Sequence, residues 1–408
     1  MVIDVKKNKN IIKLWLGNFL SNIGDTIYLV IIPWMILDIT GSKGLTALIT
    51  VASYLPSLIF GLFAGSIIDH YERKKIMFFS NMCKSFLTAC LWLSFGSYYF
   101  TLTLLGVITF VLAIFSTFYQ PARDSLVPEL TEKRNLSKIN SAMSISMQIS
   151  QLVGPLFAGF VVYYFSLEYL FIFVSFCFFC SSMVINFIFQ SGSNKLKVAN
   201  FGIHINELRK GVEFVFKRKR ILYLLGITFI NNIFIMGPAI IGIVVYVKDV
   251  LNSDFVVLAQ LETAMATGMI MGAFLFYFIN KNFKLLDILL IGMFIDGITF
   301  SALFFTHSIL VATVIIFLHG LAIPMITVAR TTLLQELIPE VFLGRVFAMT
   351  YMSVIGATAI SIGLTGLVLD YISAHELFLI IGIFASACSI LGKLTMKLCN
   401  INIKSKCI

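Results

Sequence analysis

Residues 122–130 read Ala122-Arg123-Asp124-Ser125-Leu126-Val127-Pro128-Glu129-Leu130, and 207 positions later the chain reads Ala329-Arg330-Thr331-Thr332-Leu333-Leu334-Gln335-Glu336-Leu337. The Ala-Arg, the Leu and the Glu-Leu keep their spacing without a gap. Carried toward the C-terminus, the same shift lays Leu136 on Leu343, Gly159 on Gly366, Tyr164 on Tyr371 and Ser166 on Ser373. Carried the other way, it lays Gly61 and Gly65 on Gly268 and Gly272. Apolar residues coincide often by chance, whereas polar residues and glycines do not. One unit is therefore written twice, in the same direction.

Composition says what kind of unit it is. Of the 408 residues, 59% are hydrophobic and 12% charged, about half the charge of an ordinary soluble domain. A membrane-spanning helix takes about 20 apolar residues, so the roughly 240 present suffice for twelve. That count excludes a soluble enzyme, a disordered chain and a disulfide scaffold. The expected fold is all-α and integral to the membrane, with twelve transmembrane helices in two six-helix pseudo-repeats. Apolar runs between charged or turn-rich breaks place the spans at about 12–37, 45–68, 76–96, 102–121, 139–164, 168–190, 221–247, 256–279, 285–305, 308–329, 346–369 and 377–398. The first lacks a small-residue cleavage site and is too long for a signal peptide, so it is expected to stay as a helix. The seven cysteines read as small buried hydrophobes or tail residues, including Cys177 and Cys180, a Cys-x-x-Cys with no second ligand pair.

Charge gives the orientation. Of the 30 Lys and Arg, 27 fall on one side of this arrangement, Lys43 and Lys248 fall on the other, and Lys84 lies inside the third span. Positive loops stay in the cytoplasm, so both termini are expected there, and the net charge of +10 reports topology with no nucleic acid as partner. Lys84 is expected to snorkel toward the cytoplasmic end of its span. The organisation expected is an N-terminal bundle over 1–190, a cytoplasmic linker over 191–220 and a C-terminal bundle over 221–408. The linker opens Ser191-Gly192-Ser193-Asn194, carries Ile205, Leu208, Val212, Val215 and Phe216 at helical spacing, and ends on Lys217-Arg218-Lys219-Arg220. That pattern predicts an amphipathic helix on the membrane surface.

Polar residues inside apolar spans carry the functional information, because each is costly unless it faces protein or water. Asn18, Ser21, Asn22 and Asp25 fall at i, i+3, i+4 and i+7 on one face of the first span. Thr228, Asn231 and Asn232 repeat the spacing in the seventh. Ser144, Gln148 and Gln151 lie in the fifth, His319 near the centre of the tenth. Asp25 is the leading candidate for a coupled proton, a carboxyl being expensive to keep charged at that depth. His319 is a second, since histidine is the side chain that titrates near neutrality. Glu262 and then Asp296 follow.

The loop Gly65-Ser66-Ile67-Ile68-Asp69-His70-Tyr71-Glu72-Arg73-Lys74 resembles the loop signature between spans two and three of the major facilitator superfamily, with His70 and Glu72 replacing the usual Arg and Gly. Leu14-Trp15-Leu16-Gly17, Ser21-Asn22-Ile23-Gly24-Asp25, Thr40-Gly41-Ser42, Gln120-Pro121-Ala122, and Pro339 with Gly344-Arg345-Val346 resemble its branch of drug, macrolide and siderophore exporters. The resemblance covers nearly all spans. It implies a parallel repeat with the substrate site between the halves and a cytoplasmic gate of Gly65, Asp69, Arg73, Lys74 and Arg345. It further implies a cavity lined by spans one, four, seven and ten, where Asp25, Asn232 and His319 could face one another. Substrate-cavity candidates are Asn18, Ser21, Asn22, Asn231, Asn232, Gln120, Gln148 and Gln151. Gly154-Pro155-Leu156-Phe157-Ala158-Gly159 resembles the Gly-Pro motif of antiporters, with Gly154, Pro155 and Gly159 allowing the helix to bend.

The expected function is secondary export of an amphiphilic small molecule by proton antiport, from a bacterial plasma membrane, by a monomer without cofactor or metal. An importer or lysophospholipid flippase on the same fold stays open, as does a membrane-embedded enzyme or sensor. There is no GxxxxGK[ST] phosphate loop for ATP and no visible catalytic constellation.

Overall fold

The computed structural model describes residues 9–95, 102–131, 135–189 and 212–398. Among these, twelve helices are long and apolar enough to cross a membrane, and no strand occurs. Large apolar side chains on their outer faces, such as Phe86, Phe176, Phe274 and Leu310, are exposed. In water such a surface would aggregate; against lipid it is the ordinary outer face of a span. Of the linker, Ile205 and Leu208 lie outside the described residues. Val215 is buried while Val212 and Phe216 are exposed.

Two compact units form, and they are not the two halves of the sequence. The first takes residues 1–36 and 52–200, the second 37–51 and 201–408. The second span, read as one helix from sequence, is two: Lys43–Ala52 and Leu55–His70, interrupted at Ser53 and Tyr54. The reason is Pro56, which sits in the first turn of the second piece. It supplies no N–H and disfavours a helical residue before it. One of the borders between the units along the chain, that between Val51 and Ala52, lies beside this break.

The first unit packs around Leu14, Met77, Tyr119, Leu126, Ile139 and Ile185. A close approach sets span one against span six, where a Cβ on Gly24 would stand 2.8 Å from Phe178 and one on Gly17 2.8 Å from Ile185. A Cβ on Gly154 would stand 3.0 Å from Thr26, and Gly154, Pro155 and Gly159 are all buried within an unbroken helix.

In the second unit the core runs through Val215, Ile221, Leu289, Met293, Leu333 and Val346. Spans eight and ten cross backbone against backbone: a Cβ on Gly268 would lie 2.2 Å from the Phe317 carbonyl, and one on Gly320 2.3 Å from that of Met265. Gly297 and Gly382 bring spans nine and twelve together in the same manner. Small residues permit such approach, and packing holds membrane helices together once water no longer drives them. Span seven runs as an α-helix to Gly237 and then takes two wide π turns, Pro238–Gly242 and Tyr246–Val250. Pro238 opens the first, where the ordinary backbone ladder loses a donor. Residues 37–51 join this unit through two reciprocal ion pairs, Lys248 Nζ to Asp38 Oδ1 at 2.8 Å and Lys43 Nζ to Asp249 Oδ2 at 3.2 Å. A Cβ on Gly366 would also lie 2.1 Å from that of Ala47.

Candidate functional site

Each unit sets one carboxylate among its first, third and fourth helices. In the first unit it is Asp25 of span one. Lys84 of span three donates to both its oxygens, at 2.8 Å to Oδ1 and 3.0 Å to Oδ2, and Ser116 of span four donates to Oδ1 at 3.3 Å. The expectation that Lys84 snorkels is therefore corrected. It lies about eleven residues, or about 16 Å along the helix, beyond Arg73, too deep to reach the surface. Its side chain is 1% exposed, while that of Asp25 is 29% exposed. The ammonium also stands 4.2 Å from the centre of the Phe178 ring, a favourable place for a cation.

Asp25 and Ser116 open onto a cavity of about 250 Å³. Leu29, Leu112, Ala113 and Met147 give it apolar walls, while Asn22, Ser53, Gln120 and Gln151 add polar groups. Three of those polar atoms, Asn22 Nδ2, Ser53 Oγ and Gln151 Oε1, are buried without a hydrogen-bond partner among the described residues. Of the other cavity candidates in this unit, Asn18 accepts from Arg123 Nη1 at 3.2 Å and Ser21 donates to Asn81 at 3.1 Å. Both serve helix packing. Gln148 is exposed and does not line the cavity.

The second unit places its carboxylate on span nine. Asp296 is 2% exposed; its Oδ2 accepts from Asn231 Nδ2 of span seven at 3.4 Å. His319 of span ten brings Nδ1 to 2.9 Å from Asp296 Oδ1. The approach is close enough for an ion pair but off-axis, so Oδ1 accepts no hydrogen bond. The same Nδ1 lies 3.3 Å from Thr299 Oγ1, and the ring rests edge-on against Phe300. Glu262 of span eight and His319 share a void of about 10 Å³ walled by Leu261, Met265, Phe300 and Ile316, room for about one water. Asn232 Nδ2 is buried with no partner among the described residues. Sequence reasoning ranks Asp296 below Glu262 because a support helix carries it; the structure sets both acids beside one imidazole.

Of the gate motif, the side chains of Gly65 and Asp69 lie outside the described residues. Arg73 pairs with Glu129 of span four, and Arg345 places its guanidinium 5.4 Å from the Phe342 ring. Lys74 is partly buried. Sequence reasoning missed Lys84, Ser116 and Ser53 as site residues. The signal for Lys84 was present: Asn81, Lys84, Ser85 and Thr88 repeat the i, i+3, i+4, i+7 spacing of span one, and all four are buried.

Comparison with known proteins agrees with this architecture. A family profile described as transmembrane secretion effector matches residues 7–406. Macrolide efflux protein A of Streptococcus pyogenes is 24% identical over 376 residues, covering 90% of this chain and 91% of that protein. An MFS-type transporter of Bacillus subtilis, YvqJ, is 24% identical over 85% of this chain and 82% of its own length. The multidrug efflux pump Tap of Mycobacterium tuberculosis is 27% identical over 144 residues, 34% of each chain. Among solved structures, the nucleoside transporter NupG superposes with a TM-score of 0.79 at 9% identity, covering 95% of this chain and 99% of that one. A bacterial homologue of the iron transporter ferroportin does so with 0.76 at 16%, covering 94% and 98%. At these identities the structural likeness speaks for the fold.

Proposed function

Because the chain belongs to the transmembrane secretion effector family of major facilitator transporters, we propose that it exports an amphiphilic small molecule from a bacterial cell in exchange for protons, by alternating access. A small-molecule substrate and a multi-pass membrane setting come with the family. The exchange for protons rests on one observation, the buried group of Glu262, His319 and Asp296. Two carboxyls flank one imidazole with room for about a single water, so a proton can pass among them with little movement of the chain.

Asp25 gives up its leading place in this reading. Lys84 engages both of its oxygens through hydrogen bonds, so Asp25 already has a fixed partner and the proton exchange is assigned to Glu262 and His319. Each proton carried inward contributes about 2.3 kcal/mol per 100 mV of membrane potential, in addition to the pH gradient.

In proteoliposomes, Glu262→Gln should lose substrate accumulation against a gradient while retaining exchange down one. The proton release that accompanies substrate binding in weak buffer should disappear with it. Uphill pumping by Glu262→Gln at the wild-type rate would remove this group from coupling. Accumulation driven in the opposite direction would make the protein an importer, and movement of labelled lysophospholipid a flippase.

The same reading puts both termini in the cytoplasm and the protein in the plasma membrane as a monomer. Single cysteines at Lys75 and Val212, in a background without native cysteines, should react only with reagents admitted to the cytoplasm. Labelling of either from outside intact cells would reverse the orientation.

A further inference from the structure

Building on the export reading, we propose that the cavity of the first unit is the subsite for the charged end of the substrate, and that this end is a protonated amine beside an oxygen function. The ion pair at its wall is one-sided. Lys84 is enclosed behind Asp25 by the Phe178 ring, and the carboxylate is the member exposed to the cavity. A charge entering from the cavity meets the carboxylate first and lies nearer to it than to the ammonium. Coulomb energy falls with distance, so a cation is attracted and an anion repelled, although the pair is neutral as a whole. Lys84 and Ser116 together donate three hydrogen bonds to this carboxylate, two of them to Oδ1. Since a carboxylate accepts about four, Oδ2 keeps a place for one more donor.

The three orphaned atoms supply the rest. Asn22 Nδ2 is a donor without an acceptor, Gln151 Oε1 an acceptor without a donor, and Ser53 a hydroxyl free to be either. All three line the one cavity. A buried polar group left unpaired is costly, and a ligand hydroxyl both accepts and donates, so one such group answers Asn22 and Gln151 together. Helix packing leaves these atoms orphaned, whereas it pairs Ser21 and Asn81 fully. With a volume of about 250 Å³, the cavity is below the roughly 300–1,000 Å³ of sites for drug-sized ligands. It therefore takes one end of the molecule.

The test measures binding at equilibrium on the purified full-length protein in detergent, with no gradient. The probes are protonated N,N-dimethylbenzylamine, its uncharged carbon isostere isobutylbenzene, and the protonated analogue of the amine in which one N-methyl is replaced by a 2-hydroxyethyl group. Wild type should prefer the cation to the isostere by at least about tenfold, a difference of about 1.4 kcal/mol. The double substitution Asp25→Asn with Lys84→Met, which leaves no buried charge unpaired, should bring the two affinities together. Lys84→Met alone keeps the carboxylate and removes its counter-charge, and should tighten cation binding. Asn22→Leu should weaken only the hydroxyethyl probe. Equal affinity of wild type for cation and isostere, or a preference that survives the double substitution, would overturn the proposal. Either outcome leaves export itself to be judged by transport in vesicles, where direction and proton coupling are read independently.

Discussion

Asp25→Asn, made alone, should destabilise the protein by roughly 3–5 kcal/mol, the cost of leaving a buried charge without its partner. Lys84→Met should cost less. The two are unequal because the partners are unequally enclosed: Lys84 is 1% exposed and has no route to water, whereas the Asp25 carboxylate is 29% exposed. Combining the two substitutions should recover most of the loss, since an apolar pair of similar volume avoids both desolvation penalties. Melting temperatures of the four proteins in detergent give the coupling between the two positions directly. Additive effects of the single substitutions would mean that the pair does not hold spans one, three and four together.

Gly268→Leu should also be damaging, by a different route. The first added atom already falls 2.2 Å from the Phe317 carbonyl and 3.1 Å from Gly320 Cα. These are backbone atoms, which cannot rotate away as a side chain end can. Spans eight and ten would have to part, and overpacking of this kind costs roughly 1–3 kcal/mol or more. The void shared by Glu262 and His319 lies between the same two spans, so the substitution should also depress proton-coupled transport in whatever protein still folds. Gly226→Ala is the control. Nothing lies within 4 Å of its added Cβ, and alanine favours a helix over glycine by about 1 kcal/mol, so its melting temperature should hold or rise. A normal melting temperature for Gly268→Leu would show that the crossing is loose.

Twelve spans and their doubling are legible because the signals are long. A run of about 20 apolar residues and a shift of 207 positions with matching polar residues are hard to produce by accident. The site is legible only in part. Asp25 stands out as an acid on a polar face, but its state depends on Lys84, 59 positions away, which no local pattern connects to it. Matching stripes on spans one and three announce two polar faces without saying that they meet. Gln148 and Gln151 look equivalent on paper, yet a rotation of less than one helical turn puts Gln151 in the cavity and Gln148 outside. Asp296 ranked low because its helix stands at the rim of the expected arrangement, and only packing reveals that its carboxylate points to His319. The break at Ser53 and Tyr54 was foreshadowed by Pro56, whose effect is local.

The allotment of residues 37–51 to the second unit bears on how the protein can be assembled from fragments. A gene cut in the middle, after about residue 200, yields an N-terminal piece that carries the strap and a C-terminal piece that carries the strap's seat. The first then displays Lys43, Asp38 and the small face at Ala47 with nothing to engage, and the second leaves Lys248, Asp249 and Gly366 uncovered. Two such fragments made in one cell have a built-in means of recognising each other, as swapped arms do in dimers. Removing the charges of the strap should then make reassembly of the split protein fail well before it harms the intact chain, in which the covalent link keeps the strap close to its seat.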